Sequence, residues 1–273
     1  MGRRSEPVDD ASVGASAGDL VGIERDGPVA IVTLNDPERR NPLSPTLRER
    51  LLDVLAHALA DEDVRAVVLT GAGEVFCAGG DLGSMGELDR ESGRARLQRS
   101  QQVTRTIVGG AKPVIAAVEG AAAGAGLSLV ASCDVVVTAA DARFTAAFGQ
   151  VGLMPDLGAL WAVPGRVGVA TARRLLMLGD SIDGAEAVAT GLADRLAEPG
   201  RALATAREEA RRLALASPLA LAAIKRVLAA HPQPLDDVLN AEAELQAELF
   251  ASRDLREGLA AFRQRRQPRF NGC

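Results

Sequence analysis

Two apolar runs in this 273-residue chain each end in residues too small to cover their own backbone. Ala66-Val67-Val68-Leu69-Thr70 leads towards Phe76-Cys77-Ala78-Gly79-Gly80-Asp81-Leu82. Val114-Ile115-Ala116-Ala117-Val118 leads into Gly120-Ala121-Ala122-Ala123-Gly124-Ala125-Gly126. Short apolar runs bounded by turn residues read as buried strands. A fold that accepts them must bury both strands and open their ends into turns that a ligand can approach at backbone level. Two N–H groups converging there on one oxygen form an oxyanion hole, which stabilises charge developing on a carbonyl.

Several other chemistries find no footing. Neither turn carries a G-x-G-x-x-G opening a helix or a G-K-[ST] ending, so neither is a phosphate cradle. The apolar stretch from Pro113 to Ser132 is interrupted by Glu119, broken by glycines and ended by Asp134, which argues against a membrane span. A net charge of −5 offers nucleic acid no electrostatic footprint. Three scattered cysteines, Cys77, Cys133 and Cys273, give no disulfide framework and suit a reducing cytoplasm. No C-x-x-C occurs and the two histidines, His57 and His231, lie in unrelated segments, so no metal site is expected. Aromatics make up only 3% of the chain, so Ala, Val and Leu must fill its core.

The pattern along the chain predicts an α/β protein. Residues 1–18 read as a disordered leader, 19–200 as the core, and 201–273 as a helical C-terminal region without strands. Strands are expected over 22–25, 29–34, 66–70, 114–118 and 135–138. Ser44, followed by Pro45, predicts the start of a helix with Leu47, Leu51, Val54, Leu55 and Leu59 as its apolar stripe. A second helix is expected from Gly126 to Ser132, its N-terminus aimed at the ligand. The charged stretch 87–102 is irregularly amphipathic.

Taken together and in this order, these segments resemble the crotonase (enoyl-CoA hydratase/isomerase) superfamily. The likeness includes Asn35-Asp36-Pro37-Glu38-Arg39-Arg40-Asn41-Pro42-Leu43-Ser44 and Lys112-Pro113 through Glu119-Gly120. It continues through Ser132-Cys133-Asp134, Ala142-Arg143-Phe144, Gly152-Leu153-Met154-Pro155-Asp156, Gly179-Asp180-Ser181-Ile182 and Glu257-Gly258 to Arg266, covering about residues 20 to 270. The resemblance implies a crotonase-like ββα spiral core with a C-terminal helical region that joins subunits into trimers or hexamers. It implies an acyl-CoA thioester substrate and no cofactor besides the coenzyme A that the substrate carries. Nucleic acid, membrane and metal are not expected partners.

The resemblance also assigns roles. The oxyanion donors are the N–H groups of Ala78 and Ala125, the latter where the family usually has Gly. The two glutamates with which the family's hydratases handle water fall at Ser128 and Phe148, so both are missing. One acid remains: Asp156 stands where several isomerase branches carry their catalytic acid. Its other reading is a turn aspartate capping the helix that follows. Arg40, Pro42, Gly80, Asp81 and Leu82 match the positions around the CoA arm, and Phe262 and Arg265 match 3′-phosphate contacts made from a neighbouring subunit. Asp81 and the basic run around Arg265 also read as a turn residue and a solvated helix face.

The expected activity is therefore a double-bond shift in a 3-enoyl-CoA, with Asp156 as acid and base. The alternatives are an enoyl-CoA hydratase and a catalytically silent acyl-CoA-binding protein. The dehalogenase branch, which also places an Asp here, needs a histidine, and His57 reads as structural.

Overall fold

The computed structural model describes residues 19–86, 88–230 and 232–273; the expected leader and His231 lie outside them. In chain order the strands are β1 (Val21–Asp26), β2 (Val29–Leu34), β3 (Ala66–Gly71), β4 (Val114–Val118), β5 (Ala121–Ala123), β6 (Val135–Ala139), β7 (Arg143–Thr145), β8 (Ser181–Asp183) and β9 (Arg195–Ala197). The helices are α1 (Pro45–Ala60), α2 (Arg90–Gly109), α3 (Ala125–Ser132), α4 (Ala159–Arg173), α5 (Gly184–Thr190), α6 (Ala202–Ala214), α7 (Pro218–Leu228), α8 (Leu235–Ala251) and α9 (Arg253–Gln264).

A six-stranded sheet runs β1-β2-β3-β4-β6-β9, antiparallel only in the β1–β2 hairpin and parallel beyond it. A smaller sheet runs β5-β7-β8. β4 is followed almost at once by β5, and β6 by β7, so each unit sends its first strand to the large sheet and its second to the small one. Parallel strands covered on both faces need continuous apolar sequence, which β3 and β4 supply with every residue from Ala66 to Thr70 and Val114 to Val118 buried. α6 packs on β3, β4 and β6. From Ala202 onward every element is a helix.

α1 starts as its sequence demands: the Ser44 hydroxyl accepts the Leu47 N–H at 3.2 Å, Pro45 follows, and Leu47, Leu51, Val54 and Leu55 are buried. The charged stretch around 87–102 resolves differently from its irregular pattern. From Arg90 onward it belongs to one long helix, α2, capped by Asp89, which buries only Ser100, Val103 and Ile107.

α7 is tied to the core by charge. The Lys225 ammonium, 8% exposed, donates to an Asp134 carboxylate oxygen at 2.6 Å and to the Lys112 carbonyl at 2.9 Å. The same Asp134 oxygen accepts the Val114 N–H at 2.7 Å, so one carboxylate joins α7 to the start of β4.

Candidate active site

The two Gly/Ala turns meet. Phe76 N–H donates to the Glu119 carbonyl, Cys77 N–H to Ala121, and Ala123 N–H back to Cys77, each at 3.0 Å. Residues 76–77 thus run alongside β5, and the turn beyond them is held against the start of α3. α3 lies flush on this staple because Gly126 has no side chain. A methyl there would stand 2.6 Å from the Cys77 carbonyl oxygen.

The early loop fixes the first turn from its other side. Asn41, fully buried with φ +54°, accepts the Asp36 N–H through Oδ1 at 2.8 Å. Its Nδ2 donates to the carbonyls of Ala72 and Val75, at 2.9 and 2.6 Å. Arg40, beside it, turns its carbonyl to the first turn and accepts the Ala78 N–H at 2.9 Å. Leu43 N–H then donates to the Gly79 carbonyl at 2.7 Å.

This wiring corrects one expectation. The Ala78 N–H is spent on Arg40, so it is no longer free to meet a substrate oxygen. Gly79, at φ +108° and with its Cα pressed towards the Ala123 carbonyl, reverses the chain after it. The next N–H, that of Gly80, donates to no acceptor among the described residues. The Ala125 N–H, at the first position of α3, is likewise without an acceptor among them. A methyl on Gly79 would sit 3.7 Å from the Ala125 nitrogen, which measures how closely the two turns approach. The pair of open donors is therefore Gly80 and Ala125, reinforced by the positive end of α3.

Neither glutamate position offers an acid or a base. Ser128 is fully buried and its hydroxyl donates to the Gly124 carbonyl at 3.3 Å. Phe148 is buried, and its ring tip would lie 3.9 Å from a methyl on Gly124, against the second turn. The Phe148 carbonyl accepts the Leu153 N–H at 3.1 Å, so the loop that leads to Asp156 hangs from the Phe148 turn.

Asp156 does not cap a helix. α4 begins after Gly158 with no side-chain cap, and the Asp156 Oδ1 is buried without a hydrogen-bond partner among the described residues. Burial pushes its carboxyl above the ordinary carboxylate range, opposed by Arg48, by its own backbone and by Arg96. The backbone behind it is strained. Leu157 takes φ +47°, a conformation costly for a branched side chain, and the Thr104 hydroxyl donates to its carbonyl at 2.9 Å. Half-buried, with one oxygen buried and unpartnered, and held on a strained turn, Asp156 has the environment of a reactive carboxyl.

The expected CoA positions separate into two groups. Arg40, Pro42, Gly80, Asp81 and Leu82 cluster around the first turn, with Arg40 and Leu82 exposed and Pro42 buried. Asp81 accepts from the Arg39 guanidinium at 3.1 Å, and its carbonyl accepts the Ser84 hydroxyl at 2.7 Å, so it is spent on the turn. Phe262, 84% exposed, and Arg265 lie on and just after α9, which packs on α8.

Sequence reasoning missed the open N–H of Gly80 and the arginines around Asp156. The Gly79-Gly80 pair was the available signal, since the first glycine supplies the reversal and the second the bare amide. Arg48 and Arg96 left no signal, because arginines on helices read as solvated charge.

Known proteins agree with this architecture. The sequence profile described as enoyl-CoA hydratase/isomerase matches residues 24–273. A probable enoyl-CoA hydratase of Rhodobacter capsulatus is 38% identical over 245 residues, covering 89% of this chain and 95% of the relative. The 1,2-epoxyphenylacetyl-CoA isomerase of Escherichia coli is 35% identical over 250 residues, covering 89% and 95%. The crystal structure of an enoyl-CoA hydratase from Polaromonas sp. JS666 superposes with a TM-score of 0.87 at 36% identity, covering 92% of this chain and 99% of that one. A chain with this sheet order, these two stapled turns and these relatives belongs to the enoyl-CoA hydratase/isomerase family of the crotonase superfamily.

Proposed function

We propose that the protein is an enoyl-CoA isomerase that moves the double bond of a 3-enoyl-CoA to the 2-position. One observation carries the reading: Asp156 has a buried, unpartnered oxygen while the two positions for water-handling glutamates hold Ser128 and Phe148. In this reading the thioester oxygen accepts the N–H groups of Gly80 and Ala125. The Asp156 carboxylate takes a proton from C2, and the electron pair flows onto that oxygen as a dienolate. The protonated Asp156 returns the same proton to C4, and the thioester carbonyl re-forms with the double bond between C2 and C3. Atoms and charge balance with no water consumed. A carboxyl raised by burial suits both steps, because it is a stronger base when ionised and holds the proton between them. The buried Phe148 ring disfavours a water at the glutamate position.

The rest of the substrate follows the family pattern. Arg40 and the backbone around Pro42, Asp81 and Leu82 would hold the CoA arm, and Phe262 and Arg265 would reach the site of a neighbouring subunit. Exposed Leu235, Leu239 and Phe250 on α8, which buries no residue of its own, support a trimer or hexamer. Light scattering giving a monomer mass would remove that assembly. No helix among the described residues is long and apolar enough to cross a membrane. The buried Cys77 and Cys133 thiols, pushed up to about 12 by burial, suit a reducing cytoplasm.

The test is a paired assay of purified protein with a 3-enoyl-CoA and a 2-enoyl-CoA, followed by mass and ultraviolet absorbance. Conversion of the 3-enoyl substrate without mass gain is expected. Addition of water to the 2-enoyl substrate instead would make the protein a hydratase and overturn the single-acid mechanism. Turnover of neither, over a range of acyl chains, would point to a binding role.

A further inference from the structure

Between α1 and α2, the helix whose Thr104 holds the turn after Asp156, a cleft of about 630 Å³ opens, and its walls carry three arginines, Arg48, Arg96 and Arg99. The fold has not neutralised all of them. Arg96 donates to the Ser84 carbonyl and hydroxyl, both at 2.9 Å, and so roofs the cleft beside the first turn. Arg48 is half-buried, yet its guanidinium makes no hydrogen bond or ion pair with any described residue. Burial and the nearby Arg96 both push its pKa down, while the charges of Asp156 and Glu49 pull the other way without bonding to it. Three acids also line the cleft. Asp89 is spent on the Ser92 N–H and hydroxyl at 2.8 and 2.6 Å, and Glu49 and Glu91 are exposed at the rim, where water screens them. The floor is apolar, with Leu52 and Ala95. Arg48 and Arg96 are also the side chains whose charge is felt by Asp156, so the cleft adjoins the reactive acid.

A half-buried guanidinium facing an open, partly apolar cleft is costly unless something anionic reaches it. We propose that this cleft receives the far end of an acyl group bearing a second carboxylate, with Arg48 as its principal partner and Arg96 and Arg99 beside it. The substrate class is then a dicarboxylic acyl-CoA rather than a plain fatty acyl-CoA. Apolar Leu52 and Ala95 would line the methylenes between the thioester and the anion. The inference rests on the acyl-CoA reading of the site, but not on the direction of its chemistry.

Equilibrium binding of saturated thioesters tests it without turnover. Succinyl-, glutaryl- and adipyl-CoA are compared by calorimetry with butyryl-, valeryl- and hexanoyl-CoA on the wild-type protein. At least one of the carboxylated ligands should bind about tenfold or more tighter than its neutral partner, the worth of a charge-assisted hydrogen bond. In Arg48→Met that preference should collapse, and in Arg48→Lys it should survive in part. Rising salt should shrink it. Equal or weaker binding of every carboxylated ligand to the wild type would overturn the proposal. So would a preference that Arg48→Met leaves intact. A preference found alongside a failed isomerase assay would leave the cleft standing and remove only the proposed reaction.

Discussion

Asp156 is a side chain the fold holds at a cost. Its folded pKa lies above that of the unfolded chain, so it adds no penalty below the ordinary carboxylate range. As pH rises through the raised value the buried carboxyl must ionise, and stability falls. Asp156→Asn removes the charge and breaks no structural hydrogen bond of the side chain's Oδ1. The variant is therefore expected to melt at or above the wild-type temperature while turnover of a 3-enoyl-CoA falls about 10²- to 10⁴-fold. Calorimetry beside the steady-state assay checks both. The acid limb of wild-type kcat/KM should lie above the ordinary carboxylate range, and a limb within or below that range would refute the burial effect. Resemblance to the family named Asp156, Phe148 and Ala125 as candidates from the sequence. It named Ala78, two residues before the N–H that is open, because sequence alone does not say which N–H of Ala78-Gly79-Gly80 is consumed. The Arg40 carbonyl, brought in from a distant loop, decides that.

At the scale of elements, α3 is positioned by the absence of an atom. Gly126→Ala would drive its methyl into the Cys77 carbonyl, and the backbone on both sides is stapled. Overpacking of this kind costs about 1–3 kcal/mol. The more telling effect should fall on rate, since α3 can yield only by carrying the Ala125 N–H away from Gly80. A kcat loss on the order of 10²-fold, approaching that of losing one donor, is expected with CoA binding largely kept. Unchanged kcat in a folded variant would mean that the contact does not set the hole. The elements themselves were unevenly legible. β2 and β4 fall at the expected residues, and α1 begins at its Ser44 cap. The three-residue strands β5, β7, β8 and β9 escaped; Ala121–Ala123, for one, has no strand propensity and is extended only by its neighbours. α2 escaped as a single helix because its buried stripe is too thin to impose a period on so much charge.

At the scale of the molecule, the C-terminal helices are attached through polar joints, among them Arg207 and Arg211 of α6 to Asp26 and Lys225 of α7 to Asp134. Lys225 is the one that is itself buried, and its loss would leave Asp134 facing α7 with a single N–H donor. Lys225→Met is expected to destabilise by about 2–3 kcal/mol, below the full cost of breaking a buried pair because the Asp134 carboxylate is partly exposed. Denaturant unfolding measures it, and a neutral result would show that packing alone holds α7. The strand-free character of 201–273 was plain in the sequence, whereas the packing of α6 on the large sheet was not. The wiring of the oxyanion donors has a further consequence, in time rather than in space. Gly80 and Ala125 acquire their places through Arg40 and Asn41, Cys77, Ala121, and Thr145, whose carbonyl accepts the Gly124 N–H at 2.8 Å, so four separate stretches of the chain contribute. Contacts of such long range close late in folding. A nascent or refolding molecule therefore gains its helices well before it gains a hole able to polarise a thioester, and reactivity arrives only with the completed topology.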